Sequence, residues 1–130
     1  MAETIRTGGC ACGAVRFTTT GEPKRSGLCH CRTCQKAHGT PFYAFVVFAR
    51  AQVEVTGPSA SWQSTPAYDR RFCTHCGSRV ASTSVDEVEL IAAQFDEPGL
   101  FPPQYESWTV RRVPWLAPLD LPQFERDRDG

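Results

Sequence analysis

The chain has 130 residues with balanced charge, 14 Lys and Arg against 14 Asp and Glu, and a sequence pI of about 6.8. This length is typical of one domain with a core of its own, so we expect residues 1–130 to form a single domain. The charge balance gives no support for a concentrated basic face that binds phosphates, which disfavours a nucleic-acid partner.

Short β-type segments, rich in Val, Thr and Phe, lie between ten Gly and ten Pro. Residues 52–56 alternate polar and apolar side chains, as half-buried strands do. The predicted strands, in chain order, are residues 14–20, 42–48, 52–56, 79–85 and 88–95. Residues 31–39 could form about two helical turns that end before Gly39 and Pro41. The sequence therefore predicts a mainly β fold with one or two short helices.

Residues 101–124 contain five prolines, which exclude a long helix or a central strand there. We expect this segment to wrap around the sheets, anchored by Trp108, Trp115 and Phe124. Residues 125–130 carry charges of alternating sign and are expected to be a solvated tail.

Three features of the sequence indicate the cellular compartment of the protein. The first residues lack the charged and apolar regions of a signal peptide. The longest apolar run, residues 42–49, is far shorter than the ~20 residues that span a bilayer. The chain contains no Asn and hence no N-glycosylation acceptor. These features predict a cytoplasmic protein with no membrane partner, where clustered cysteines stay reduced and favour metal binding.

The cysteines fall into three groups, which we call the N-terminal pair (Cys10 and Cys12), the central trio (Cys29, Cys31 and Cys34) and the C-terminal pair (Cys73 and Cys76). Residues i and i+2 of an extended chain face the same side, and a two-residue gap can form a metal-binding knuckle. Each group therefore has the spacing of metal ligands.

A structural zinc ion takes four ligands, and the spacing allows two ways to provide them. In a zinc-ribbon arrangement, Cys31 and Cys34 join the C-terminal pair and leave three thiols unused. In the other arrangement the N-terminal and C-terminal pairs join and leave the central trio as a set. We favour the second because no thiol is idle.

Three segments, "GGCACGAVRF", "CHCRTCQKAHGTPF" and "RRFCTHCGS", resemble the glutathione-dependent formaldehyde-activating enzyme family in order and spacing. The resemblance covers about residues 8–124. It implies a folded β-sheet domain that carries zinc. It also implies a closed structural zinc site from Cys10, Cys12, Cys73 and Cys76, and a second zinc site from Cys29, Cys31 and Cys34 whose fourth position is open.

An open position on zinc can take water or a thiol, lower its pKa and hold it as a nucleophile. For this family the implied reaction joins glutathione to formaldehyde, giving S-(hydroxymethyl)glutathione. The reverse step cleaves a carbon–sulfur bond. The resemblance therefore implies a carbon–sulfur lyase that uses two zinc ions, with Cys29, Cys31 and Cys34 as its catalytic residues and a small thiol and a small aldehyde as partners.

Other side chains near the cysteines are candidates for substrate contacts or for surface positions. Gln35 stands where family members commonly have Arg, which leaves Lys36 as a candidate for a substrate carboxylate. His30 and His75 lie between paired cysteines and are expected to face solvent. His38 follows Cys34 by one helical turn and could approach the open site, although a surface position is favoured.

Two further pairs of residues complete the candidates. Arg70 and Arg71 are expected to be surface or structural charges and not catalytic. Phe42 and Tyr43 follow the predicted turn at residues 39–41, and either could line a pocket.

Two other functions remain open. The first is a noncatalytic zinc-stabilised binding module, as in a chromatin-associated branch that resembles the family. That branch carries additional basic sequence, which this neutral chain lacks. The second is a thiol or zinc sensor, which the same exposed thiolates could serve. A thioredoxin-like redox function is disfavoured because neither C-x-x-C motif lies in a βαβ pattern.

Overall fold

The computed structural model describes residues 3–128 and has a mainly β architecture with two sheets and one short α-helix in that range. The strands are β1 (Ile5–Gly9), β2 (Arg16–Thr20), β3 (Arg25–Cys29), β4 (Tyr43–Ala49), β5 (Val53–Thr56), β6 (Ser59–Thr65), β7 (Tyr68–Cys73), β8 (Arg79–Thr83), β9 (Glu87–Ile91) and β10 (Glu106–Ser107). Helix α1 spans Arg32–His38, and short 3-10 turns follow at Arg50–Gln52, Ala92–Gln94 and Thr109–Arg111.

The smaller sheet has the strand order β1-β2-β5, and the larger has the order β10-β3-β4-β9-β8-β7-β6. Neighbouring strands are antiparallel except for β10, which lies parallel to β3 at the edge of the larger sheet. Parallel strands need a long connection, and most of the chain separates these two. The pairing of β10 with β3 therefore brings the proline-rich segment alongside the end of β3, where Cys29 lies.

Strand β4 is buried on both faces, which explains its nearly continuous apolar sequence. Successive side chains of a strand point to opposite faces. Val46 and Phe48 pack in a core with Phe17 of the smaller sheet, whereas Phe45 and Val47 pack on the opposite face with Cys34 of α1. The larger sheet thus separates an inner core from a second apolar layer that contains thiols of the central trio.

Helix α1 is short because its ends are capped within two turns. Cys31 precedes the helix in an extended conformation, and its sulfur accepts a hydrogen bond from the Cys34 amide. Gly39 follows in the left-handed conformation, with φ of 61°, and its amide donates to the Gln35 carbonyl. Gly tolerates this conformation without steric cost, so the helix ends there as predicted.

The mainly β prediction is confirmed, and each predicted strand overlaps an observed one. The run at 88–95 is shorter than predicted, because β9 ends at Ile91 and a 3-10 turn follows. Strands β1, β3, β6, β7 and β10 were not predicted.

Part of the prediction for residues 101–130 is wrong. Phe124 packs edge-on against Tyr105, with ring centroids 5.8 Å apart. Trp115, however, is 73% exposed and anchors nothing. Residues 125–128 are exposed but are not simply a solvated tail, because the Trp108 indole N–H donates to Asp127 at 2.9 Å. The end of the predicted tail, residues 129 and 130, lies outside the described residues. No helix in the described part of the chain is long and apolar enough to cross a membrane.

Candidate metal centres

The N-terminal and C-terminal pairs come together in space. Their four Sγ atoms all lie within 4.8 Å of one another, with 3.6 Å between Cys10 and Cys12 and 3.8 Å between Cys12 and Cys73. Four thiolates around zinc, at Zn–S distances of about 2.3 Å, stand roughly 3.8 Å apart in a tetrahedron. The four sulfurs therefore fit a tetrahedral zinc ion, and the zinc-ribbon arrangement is not the one that the fold brings together.

Backbone amides around this group point at the sulfurs. The Val15 amide donates to Cys10 Sγ at 3.3 Å, and the Cys76 amide donates to Cys73 Sγ at 3.4 Å. Gly77, with φ of 79°, lets the chain turn back after the second knuckle. A hydrogen bond from Ser78 lowers the pKa of the Cys76 thiol to about 5. These donors favour the thiolate form that a zinc ligand needs.

The central trio also converges. Cys29 ends β3, Cys31 caps α1 and Cys34 lies in the first turn of that helix. Their Sγ atoms all lie within 4.8 Å of one another, and Cys34 Sγ is 3.7 Å from Cys29 Sγ. The spacing is again that of thiolates on one tetrahedral zinc.

Hydrogen bonds within the trio divide its charge unequally. Those from Cys29 and Cys34 lower the pKa of Cys31 to about 2, whereas the hydrogen bond with Cys31 raises the pKa of Cys29 to about 11. The hydrogen bonds thus favour the thiolate form of Cys31 and disfavour that of Cys29 and Cys34. A bound zinc ion would require all three as thiolates and would release the remaining protons.

The trio opens on a cleft of about 450 Å³, which all three cysteines line. Within residues 3–128, no fourth His, Cys, Asp or Glu joins this ligand group. A tetrahedral ion held by three sulfurs would have its fourth position available to a molecule from the cleft. All seven cysteines are free thiols, and thiolate ligands favour zinc over hard cations such as Mg²⁺.

Arg70 was predicted to be a surface or structural charge, and the surface part of that prediction is wrong. Its side chain is buried, 5% exposed, and its Nη2 donates to Cys34 Sγ at 4.0 Å. Its Nε donates to the Ser64 hydroxyl, and the guanidinium lies over the Tyr68 ring. A fixed positive charge beside the trio stabilises its thiolates. No local sequence pattern predicts this contact, because position 70 is 36 residues from Cys34.

The prediction that His30 faces solvent is also wrong. Its side chain is fully buried, and Nε2 lies 2.8 Å from a carboxylate oxygen of Glu106. The parallel pairing of β10 with β3 places Glu106 there. His75, by contrast, is exposed as predicted.

His38 stacks flat on Tyr43, with ring centroids 4.0 Å apart, and lines a separate cleft of about 390 Å³. Phe42 and Tyr43 line this same cleft and not the one that contains the trio. Burial lowers the pKa of His38 to about 4. The structure thus places the three residues together but away from the open side of the trio.

Gln35 has a structural position. It is buried, and its amide donates to the carbonyls of Pro41 and Arg111 at 3.0 and 3.1 Å. These bonds fix α1 to the turn that follows it and to the 3-10 turn at Thr109–Arg111. Lys36 is exposed on α1, and the cleft that contains the trio is lined by other residues.

Several polar residues line the cleft with the trio but were not predicted from the sequence. Arg25, Tyr68, Glu89 and Tyr105 come from β3, β7, β9 and the segment before β10. None belongs to a motif, and only strand pairing brings them together. The alternation of "EVELI" in β9 is the one local signal, since it sets Glu87 and Glu89 on the face opposite Val88 and Leu90.

Comparisons with known proteins agree with this geometry. The family described as glutathione-dependent formaldehyde-activating enzyme matches residues 5–111. An uncharacterized lyase of Schizosaccharomyces pombe is 30% identical over 71 residues, which are 55% of this chain and 52% of that protein. The chain thus matches about half the length of that relative. The crystal structure of a Rhodobacter sphaeroides protein superposes with a TM-score of 0.54 at 16% identity, covering 91% of this chain and 98% of the other, and shows a shared fold. This chain belongs to the glutathione-dependent formaldehyde-activating enzyme family.

Proposed function

We propose that this protein is a zinc-dependent carbon–sulfur lyase that forms or cleaves a small thiol–aldehyde adduct, such as that of glutathione with formaldehyde. The observation that carries the proposal is the central trio, in which three thiols open on a cleft without a fourth protein ligand among the described residues. Cys29, Cys31 and Cys34 are the proposed catalytic ligands. Cys10, Cys12, Cys73 and Cys76 are the proposed structural zinc site.

Zinc held by the trio would offer its fourth position to the thiol, lower the thiol pKa and keep the sulfur nucleophilic. The chain contributes the environment of that sulfur. Arg70 offsets part of the negative charge of three thiolates. Phe45 and Tyr105 pack against each other and line the cleft, so they limit the water around the reacting atoms.

A neighbouring cleft of about 590 Å³ suits the rest of a carboxylate-bearing thiol. It shares Cys31, Tyr68, Trp108 and Asp127 with the first cleft, so a molecule could extend from one into the other. Arg32, Arg70 and Arg111 line it. Guanidinium groups bind carboxylates through paired hydrogen bonds. This lining supports glutathione, which carries two carboxylates, as the thiol.

We also propose that residues 1–130 form a single domain and that the protein acts in the cytoplasm. Seven free thiols in two convergent groups support a reducing compartment, where they remain available to zinc.

The test is catalysed exchange between formaldehyde and its glutathione adduct. Zinc-replete protein is mixed with glutathione and ¹³C-formaldehyde, and exchange is measured by NMR against the uncatalysed rate. We expect acceleration by the natural chain, its loss in Cys31→Ser, and no change in Ala37→Ser, a control on the same helix. A natural chain with full zinc content and no acceleration would contradict the proposal and favour a noncatalytic binding module or a thiol or zinc sensor.

A further inference from the structure

We propose that Glu89 is a further catalytic residue, which donates a proton to the aldehyde oxygen as the carbon–sulfur bond forms and removes it as that bond breaks. This role rests on the function proposed above. It follows from the position of Glu89 in the larger sheet, its surroundings and its contrast with a second carboxylate on the same strand.

Glu89 lies in a row of directly opposed residues that crosses four strand pairs. Arg25 of β3 is opposite Val47 of β4, Val47 is opposite Glu89 of β9, Glu89 is opposite Ser82 of β8, and Ser82 is opposite Arg70 of β7. Directly opposed residues on neighbouring strands present their side chains on the same face. The sheet therefore sets one carboxyl group between two guanidinium groups on one face.

This face is the one that contains the central trio. Cys29 lies four residues after Arg25 on β3, and residues separated by an even number point to the same side of a strand. Val47, directly opposite Glu89, packs in the apolar layer that includes Cys34. Glu89 and all three thiols line the same cleft. A small aldehyde in that cleft would lie between the sulfur site and this carboxyl group.

The surroundings of Glu89 favour its protonated form. Burial raises its pKa, against the opposing effects of a hydrogen bond from Tyr68 and the charges of Arg70 and Arg25. Among residues 3–128, Glu89 forms no ion pair with a charged partner. The titratable or charged groups around it are Arg25 on β3, Tyr43 on β4, Tyr68 and Arg70 on β7, Glu87 on β9, and Tyr105, and the same cleft is lined by Cys29, Cys31, Cys34, Asp127 and Arg128.

Glu87, two residues earlier on β9, shows the opposite behaviour. It pairs with Arg25 at 2.9 Å and with Lys24 at 3.2 Å, and the hydrogen bond from Arg25 lowers its pKa. One carboxylate of the strand is thus used for an ion pair, and the other lies in the cleft with its pKa raised. Two nearby carboxyl groups with pKa values moved apart are a pattern typical of acid–base sites.

The proposed step balances atoms and charge. The sulfur electron pair forms the carbon–sulfur bond, the π bond of the aldehyde breaks, and its electrons move to oxygen, which takes the proton of Glu89. The proton that the thiol releases on binding then returns to the Glu89 carboxylate. In the reverse direction the carboxylate removes the hydroxyl proton as the carbon–sulfur bond breaks.

The experiment compares zinc-replete natural protein with Glu89→Gln, which keeps the shape of the side chain but cannot donate an acidic proton. Catalysed exchange between ¹³C-formaldehyde and its glutathione adduct is measured by NMR across pH. General acid catalysis contributes about 10²- to 10⁴-fold, so we expect Glu89→Gln to lose at least ~10²-fold in rate. We also expect the pH profile of the natural chain to contain a titration that Glu89→Gln lacks, because exchange uses both the acid and the carboxylate form of Glu89. Glu54→Gln, an exposed site on β5, is the control and should match the natural chain.

Zinc content and melting temperature separate a catalytic loss from an unfolded variant. In addition, infrared difference spectra between the natural chain and Glu89→Gln, recorded across pH, should contain the C=O band of one carboxylic acid that ionises at a higher pH than free Glu. This readout needs no turnover. A Glu89→Gln rate within about threefold of natural, with the same pH profile, would overturn the role of Glu89 alone. So would a Glu89 band that ionises at or below the pH of free Glu. A natural chain without catalysed exchange would overturn the proposed function, and the role of Glu89 with it.

Discussion

His30 Nε2 lies 2.8 Å from Glu106 Oε1, and both side chains are buried. The other oxygen of Glu106 accepts hydrogen bonds from the Leu119 amide at 2.8 Å and the Gln123 side chain at 2.7 Å. Burial acts to raise the pKa of Glu106, but the hydrogen bonds from Gln123 and His30 outweigh it and the pKa is lowered. One carboxylate therefore joins the segment that carries the central trio to the proline-rich end of the chain.

We predict that Glu106→Ala destabilises the protein by about 3 kcal/mol, because it leaves the buried His30 ring without its partner and removes the acceptor of the Leu119 amide. The measurement is urea unfolding of the zinc-replete protein. The control is Glu125→Ala, at an exposed position 18 residues after the end of β10 at Ser107. It should change stability by less than about 0.5 kcal/mol. A Glu106→Ala variant as stable as the control would show that Glu106 does not hold the proline-rich end of the chain against the segment that carries the trio.

The structural features that depend on the local spacing of residues could be predicted from the sequence. The three cysteine groups, helix α1 with its Gly39 end, and the apolar strand β4 all carry their signal within a few residues. Strand β6 was missed because most of its side chains are exposed, so no hydrophobic pattern marks it. Strand β3 was missed because its sequence, "RSGLC", is short and contains Gly27.

The cleft could not be predicted from local patterns. Glu89 and Arg70 reach the central trio only through the register of five strands, and Glu106 reaches His30 only through the parallel edge strand. Such pairings join residues that are tens of positions apart. Motif spacing therefore indicated the cysteine groups that converge in space but none of the charged groups around them.

Cys76→Ser should remove one zinc ion and the cooperative fold. The four-cysteine group joins the two ends of a long loop, and Cys10 and Cys73 are buried in the inner core. Binding of structural zinc contributes on the order of 10 kcal/mol in small domains, comparable to the whole stability of a domain. Zinc analysis and thermal unfolding by circular dichroism provide the measurement. Cooperative unfolding of Cys76→Ser at the temperature of the natural chain would show that the four-cysteine assignment is wrong.

Arg70→Gln should weaken zinc binding at the central trio by about 10- to 100-fold, the usual effect of removing a group that supports metal ligands. The Arg70 guanidinium beside Cys34 stabilises the negative charge of the thiolates. The neutral amide of Gln would not stabilise this charge. Competition with a chelating dye measures the two zinc affinities. Arg71→Gln, on the next residue of β7, is the matched control. Equal affinities in the two variants would argue against an electrostatic role of Arg70.

His38→Phe should leave exchange activity unchanged at pH 7, because His38 lines a different cleft from the trio. It should also alter the pH dependence of stability. Burial lowers the pKa of His38 to about 4, so between pH 6.5 and pH 4 the unfolded chain binds a proton that the folded chain does not. Stability of the natural chain therefore falls as pH falls through this window, and His38→Phe should lose less between pH 7 and pH 5. Urea unfolding at both pH values, with zinc in excess, measures this difference. Identical losses would contradict the buried neutral state of His38.

Zinc X-ray absorption during a glutathione titration tests whether the central trio holds zinc with one position open to a thiol. With both groups occupied, four and three cysteines give a mean of about 3.5 sulfur ligands per zinc. We predict that saturating glutathione raises this mean to about 4, as its thiol takes the fourth position, and that Cys31→Ser abolishes the change. Full occupancy by two zinc ions with a sulfur count that glutathione does not alter would show that the trio does not offer an open zinc position to a thiol.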